Sequence, residues 1–257
     1  LNRKYCFDNY NNLIECDKID AVYIALPNSF HHEWIVKCID AGKHILVEKP
    51  AVLNANQFEI IYEKLKSKNL LFHEGFMYWH HPRTQKVIEI IKSGRIGKPE
   101  KMESSFGVEI TGNESLLEII SNRFKTEPRH FNKMLGGGCI LDLGCYLTSL
   151  SLKVGSIRSD VSLDSIRLEN TKKDFGSKKV ETDAATTLNF YNGFQSRIHC
   201  SFQKDLGQKT KISCSAGEIV IEDTWNCLSS GFWCNNEYID IETDIFDNPY
   251  SYQVSNI

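Results

Sequence analysis

Residues 20–32 read Asp20-Ala21-Val22-Tyr23-Ile24-Ala25-Leu26-Pro27-Asn28-Ser29-Phe30-His31-His32. The first seven form a short, near-continuous apolar run, the pattern of a parallel strand covered on both faces, and Pro27 ends it because proline cannot donate to a ladder. Small polar groups then follow at the carboxyl end of the strand, where open α/β sheets hold ligands. Ser29 is the expected N-cap of a helix in which Trp34, Ile35, Cys38 and Ile39 recur at helical spacing until Gly42 stops it.

Outward from this unit the punctuation repeats. His44-Ile45-Leu46-Val47 is a second short strand, and a helix beginning near Asn54 carries Phe58, Ile61 and Leu65 on one face. Leu70-Leu71-Phe72-His73 is a third strand. Pro82 suits a first helical turn, and Val87, Ile88 and Ile91 supply an apolar stripe that ends at Gly94. Three strand-helix units in series predict a doubly wound parallel sheet. After about residue 97 the texture changes to alternating strands, at Ile166–Glu169, Ala185–Tyr191, Ser196–Phe202 and Ile219–Glu222, with Asn192-Gly193 as a hairpin turn. The expected fold is therefore an incomplete doubly wound parallel sheet over residues 1–97. An α+β domain with a large, mostly antiparallel sheet follows over 98–257, the boundary falling between Gly94 and Pro99. The lysine-rich stretch Asn170–Asp174 reads as a solvated loop, and Asn248–Gln253 as a turn entering another element.

Composition narrows the function classes. Of 257 residues, 41% are hydrophobic and 25% charged, and 30 basic against 33 acidic side chains leave a net charge of −3. With no basic block, the electrostatic footprint for nucleic acid or an anionic membrane is missing. The longest clean apolar run, Ala21–Leu26, is far short of the roughly 18 residues that cross a bilayer. The nine cysteines contain no C-x-x-C and several sit in apolar stretches, which suggests reduced thiols and a cytoplasmic location. Gly42 is the first glycine, so the glycine-rich turn that opens a dinucleotide fold is not in this sequence. Together with a first residue other than Met, this leads us to expect a piece that lacks the opening strand-helix-strand unit.

Three signatures carry chemistry. The first is the loop Ala25–His32 already quoted. The second is Val47-Glu48-Lys49-Pro50, a charged pair directly after a buried strand, where a lysine is not needed for packing. The third is Gly136-Gly137-Gly138-Cys139-Ile140-Leu141-Asp142-Leu143-Gly144-Cys145-Tyr146, a glycine triplet opening a helix on which Asp142 and Tyr146 share a face. Each has a bland alternative: a capped helix with exposed histidines, a surface lysine balanced by its neighbour, a half-buried core tyrosine.

Together they resemble the glucose-fructose oxidoreductase, inositol dehydrogenase and MocA superfamily, from about Tyr10 to Trp225. The E-K-P motif is Glu48-Lys49-Pro50 and the G-G-G-x-x-x-D-x-G-x-Y pattern is Gly136–Tyr146. Tyrosine at position 146, with Glu74-Gly75-Phe76-Met77-Tyr78 and His81-Pro82, makes the chain more similar to the dimeric dihydrodiol dehydrogenase and xylose dehydrogenase branch. The resemblance implies a Rossmann domain binding NAD or NADP, with Leu26, Pro27, Asn28 and His31 on the nicotinamide-ribose side and Glu48 and Lys49 along the cofactor. Tyr146 would be the acid/base, Lys49 its electrostatic partner, and Asp142 a group that orients a substrate hydroxyl. Trp79 and His130 stand where such relatives often carry arginine, and we place them on the cofactor and substrate sides.

The implied reaction is reversible hydride transfer between nicotinamide and a carbinol carbon of a sugar, polyol or cyclic diol, an NAD(P)-dependent dehydrogenase chemistry. A free phenol, with pKa about 10, is mostly protonated at neutral pH, and a nearby ammonium favours phenolate. The adjacent pairs His31-His32 and His80-His81 lack a carboxylate pattern of metal-site type, so no metal is expected. Two alternatives stay open: a dinucleotide-binding sensor without turnover, and a fragment that is inactive for want of the glycine-rich turn. A homodimer or higher homo-oligomer is expected through a half-apolar open face of the second-domain sheet.

Overall fold

A computed structural model describes residues 6–110, 128–157, 162–176, 179–243 and 248–257. By packing, the chain forms two compact units, one comprising Leu1–Gly75 with Met134–Gly136 and the other Phe76–Lys133 with Gly137–Ile257.

In the first unit, β1 (Ala21–Ile24), β2 (His44–Glu48) and β3 (Phe72–Gly75) form a parallel sheet in that order. Helices α1 (Tyr10–Ile14), α2 (Asn28–Asp40) and α3 (Ala55–Leu65) accompany it, with Asn9 and Asn54 side chains capping α1 and α3. Ile24, Ile35, Ile39, Ile45, Val47 and Ile61 are the buried centre. Three expectations shift. Proline already has the backbone angle that admits a helix, so α2 starts at Asn28 behind Pro27 and Ser29 lies inside the first turn rather than capping it. Strand β3 begins at Phe72, because pairing with Ile45 of β2 sets its register. β1 is not covered on both faces by the described residues, since Ala21 and Tyr23 are exposed while Ile24 is buried.

The second unit begins with a 3-10 turn, Met77–His80, and α4 (Pro82–Ser93). The strands that follow are β4 (Pro99–Gly107), β5 (Arg167–Asp174), β6 (Asp183–Asn189), β7 (Gln195–Ser201) and β8 (Thr210–Cys214). Three more, β9 (Gly217–Ile221), β10 (Phe232–Cys234) and β11 (Glu237–Ile239), complete one sheet in the order β11-β10-β9-β8-β4-β7-β6-β5, antiparallel except for β4 beside β7. α5 (Cys145–Gly155) lies on one face, and α6 (Pro249–Ser255) packs on the 3-10 turn. Val87, Ile88 and Ile91 of α4 share a core with Met102, Ile212 and Leu147. For that reason the chain divides at Gly75/Phe76, earlier than the Gly94–Pro99 change in sequence texture.

The hairpin at Asn192-Gly193 forms as expected, with Gly193 at φ +88° and the backbone of Phe190 paired to Phe194. Asn170–Asp174 is not a loop. It continues β5 to the sheet edge through an irregularity between Glu169 and Lys172, and all eight residues of the strand are exposed. Lysines on a solvated edge strand hide this pairing from a reading of polarity.

The register also exposes the character of the open sheet face. Glu103 sits opposite Arg197 on one side and Lys211 on the other, and Lys211 pairs with Glu218 at 2.7 Å. The same row runs on through Val220, Trp233 and Tyr238, the last two exposed, so this face carries charged and apolar side chains side by side. The helical stretch Lys133–Gly155 is long and apolar enough by composition to cross a membrane, and half of its most apolar window is buried in this unit, where Leu143, Leu147, Leu150 and Val154 join the core.

Candidate active site

The site residues of the first unit gather at the carboxyl ends of β1 and β2. Asn28 is buried and its Nδ2 donates to Gly136 O at 2.9 Å. Gly136 has φ +75°, and a Cβ there would come within 2.8 Å of Asn28 Cβ and of Leu53 Cδ2, so the glycine triplet is used for close backbone approach. His31 is fully buried, its Nε2 2.7 Å from Leu26 O and its Nδ1 2.8 Å from Pro50 O. Both ring nitrogens thus face main-chain carbonyls, and His31 links the loop after β1 to the corner after β2. Glu48 accepts a hydrogen bond from the Tyr23 hydroxyl, and the Lys49–Pro50 peptide is cis. Glu74 Oε1 accepts from the Ala51 amide at 2.7 Å. Burial pushes the Glu74 carboxyl above its ordinary range, and the Ala51 amide pulls it partly back.

Helix α2 opens with no side chain capping its first amides and no acid in its first turn. A long helix starting this way at the end of a parallel strand suits the hydroxyl and phosphate groups of a ribose unit. Pro27, Asn28, Glu48 and Lys49 stand at the ends of β1 and β2 beside this helix start. No glycine-rich turn to cradle a pyrophosphate occurs among residues 6–41.

In the second unit the glycine triplet runs into a π-helical turn, Ile140–Gly144, rather than straight into an α-helix. Such widened turns are frequent at functional sites. Asp142 lies on this turn and Tyr146 on the first turn of α5, one helical turn apart as the spacing predicts. His130 Nε2 is 3.9 Å from Asp142 Oδ2, so these two residues are neighbours. Tyr146 is 6% exposed, and its hydroxyl donates to Met77 Sδ at 3.5 Å. Around its ring stand Phe76, Tyr78, Phe106 and Trp225, with centroids 5.3 to 6.0 Å away. Burial holds the phenol of Tyr78 well above the ordinary tyrosine range, and Tyr78 bonds Ser149 Oγ at 2.7 Å. Trp79 packs on Tyr78 at 4.8 Å, with Lys153 Nζ 5.8 Å over its ring.

Sequence reasoning missed the aromatic cage and what anchors it. Trp225 Nε1 donates to Ser105 O at 2.9 Å. Two residues before it, Asp223 accepts from Arg83 Nη1 at 2.6 Å, and Arg83 also reaches Ser229. Arg83 and Asp223 lie 140 positions apart, and no local pattern signals such a pair. Phe76 and Met77 were visible within the Glu74–Tyr78 motif, but not as lining of Tyr146. Among the described residues no group of three or more His, Cys, Asp or Glu could hold a metal ion.

The chain belongs to the Gfo/Idh/MocA oxidoreductase family. Residues 2–76 match the model of its NAD-binding Rossmann fold and residues 84–220 match that of its C-terminal domain. The dTDP-3,4-didehydro-2,6-dideoxy-alpha-D-glucose 3-reductase of Saccharopolyspora spinosa is 36% identical over 137 residues, 53% of this chain and 37% of that protein. The D-xylose 1-dehydrogenase (NADP(+)) 2 of Haloferax volcanii is 26% identical over 221 residues, 86% of this chain and 62% of that enzyme. The chain thus spans between about a third and three fifths of the length of these curated relatives. Its fold is similar to that of KijD10, a 3-ketoreductase from Actinomadura kijaniata solved with NADP and TDP-benzene, with TM-score 0.78 at 20% identity over 97% of this chain and 72% of that one.

Proposed function

We propose that the protein carrying this chain is an NAD(P)-dependent oxidoreductase acting on a carbinol carbon, or the corresponding carbonyl, of a sugar, polyol or cyclic diol. A bound nicotinamide supplies the hydride donor or acceptor. This chain's residues handle the proton and the orientation. Tyr146 Oη takes the acid/base role, giving up or taking the proton of the substrate oxygen, and Lys49 supplies a positive charge of the kind that favours an ionised oxygen. Asp142 and His130 accept from and donate to neighbouring hydroxyls, which is the chemistry a polyol presents. Pro27, Asn28, Glu48 and Lys49 border the nicotinamide-ribose portion.

The observation that carries the reading is the surroundings of Tyr146: a buried phenol, caged by four aromatic rings, one helical turn along the chain from Asp142, whose carboxylate lies 3.9 Å from His130. Apolar walls exclude water and strengthen every polar interaction made inside them. The relatives' sugar substrates support the substrate class. The test mixes the protein with oxidised NAD or NADP and a panel of aldoses, polyols and cyclic diols while reduced-nicotinamide absorbance is followed. Absorbance growth with at least one of these compounds is expected. Saturable cofactor binding with no absorbance change across the panel would instead identify a dinucleotide-responsive regulator.

A further inference from the structure

Strand β5 stands at one end of the eight-stranded sheet, paired with β6 on one side and with no described residue on the other. All eight of its residues are exposed, so a row of main-chain donors and acceptors faces outward. Among the described residues, Arg167, Glu169 and Lys172 make no ion pair, while Lys173 reaches Glu181 at 3.5 Å. Charged side chains and bulges are the usual means of keeping an edge from pairing, but that protection needs only charge, not a particular order of signs. The order in β5 is particular. Outward from the Asn170-Thr171 step, Glu169 is matched by Lys172, Leu168 by Lys173 and Arg167 by Asp174. Two antiparallel copies centred on that step set Glu169 of each against Lys172 of the other, and Arg167 of each against Asp174 of the other. Opposite charges placed directly across strands attract.

The irregularity in β5 is what permits this match. Residues opposite each other in an antiparallel pair point to the same face, and in an unbroken strand positions three or seven apart point to opposite faces. Here Glu169 lies opposite Thr187 and Lys172 opposite Ala185, so Asn170 and Thr171 together stand against Thr186 alone. Thr187 and Ala185 share a face of β6, and therefore Glu169 and Lys172 share a face of β5. Arg167 and Asp174, opposite Asn189 and Asp183, lie on that face too. We propose that β5 is a contact between two copies of this chain, paired antiparallel about a two-fold axis at the Asn170-Thr171 step and joining their two sheets edge to edge. The patch is the same on both copies, as a closed two-fold contact requires. Eight residues per copy is fewer than the about 20–30 per side of a standard interface, so the dimer is of the weak, concentration-dependent class.

The test is sedimentation velocity on the protein carrying this chain, from about one to a few hundred micromolar, for the wild type, Glu169→Lys, Lys172→Glu and the two combined. Each single reversal sets like charges opposite each other twice, once on either side of the axis, and should raise the dimer dissociation constant about tenfold or more. The combined swap restores both pairs with their signs exchanged and should return the constant to within about threefold of the wild type. Raising salt to about 1 M should weaken the wild-type dimer, because exposed pairs are screened. Trp233→Glu, on the open sheet face, should leave it unchanged. These substitutions change exposed side chains, and far-UV circular dichroism checks that each variant folds. Monomer throughout the range overturns the proposal and leaves the edge to solvent or to a different partner. A dimer indifferent to both reversals, or a combined swap as weak as the single ones, overturns it as well. So does a dimer lost with Trp233→Glu alone, which places the contact on the open face instead. No arm depends on cofactor or turnover, so an inactive enzyme and an absent edge contact give different results.

Discussion

Tyr146 and Tyr78 are the same side chain in adjoining positions, 5.7 Å between ring centres, and their surroundings separate them. Tyr78 is fully buried, bonded to Ser149, and kept protonated by burial. It serves as a wall. Tyr78→Phe is therefore expected to keep activity within a few-fold and to cost about 1 kcal/mol in urea unfolding, the worth of one hydrogen bond. Loss of turnover with stability intact would move the acid/base role to Tyr78. His81 gives a second residue-scale prediction. Its ring caps α4 by accepting from the Arg83 amide, and burial, reinforced by the Arg83 charge and opposed by Asp223, lowers its pKa from 6.5 to about 4. Between those values the unfolded chain binds a proton that the folded chain does not. Stability contributed by the neutral ring is thus present above about pH 6.5 and lost as pH falls through about 4. His81→Asn, which can still cap, should flatten the pH dependence of the unfolding midpoint over that window. An unchanged slope would assign the dependence elsewhere.

At the scale of elements, the Arg83–Asp223–Ser229 network ties the start of α4 to the connection after β9, where Trp225 turns in against Tyr146. Arg83 Nη1 and Nη2 reach five acceptor atoms from a site with no solvent exposure. A lysine there keeps the charge but not the fork. Arg83→Lys should destabilise by about 2 kcal/mol or more and quench or shift tryptophan fluorescence as Trp225 loosens. Unaltered emission and stability would show that Trp225 is held by its own bond to Ser105 alone. Elements with a clean period were legible in the sequence: α4 between Pro82 and Gly94, the hairpin at Asn192-Gly193, and β2. Those that failed did so for identifiable reasons. β5 was hidden by its lysines, because an edge strand exposed along its whole length has no apolar alternation to show. The π turn at Ile140–Gly144 was hidden because a one-residue widening leaves the spacing of Asp142 and Tyr146 unchanged.

At the scale of the molecule, the order of chemistry-bearing segments along the chain was legible and the two-unit packing was only partly so. Lys49 could be placed after a parallel strand because an apolar run ending in Glu-Lys-Pro has few other readings. The two carbonyls that His31 faces could not be read, since nothing in the sequence marks which main-chain groups a buried histidine will meet. The assignment of α4 to the second unit depends on which core receives Val87, Ile88 and Ile91, a long-range outcome that local texture does not carry.

The proposed activity depends on Lys49 and on Tyr146, and the direct measurement is turnover alongside cofactor affinity in the Lys49→Met and Tyr146→Phe forms of the protein carrying this chain. Each substitution is expected to lower kcat by about a hundredfold or more, with the dinucleotide Kd changed by no more than a few-fold. Wild-type turnover in either form would contradict it.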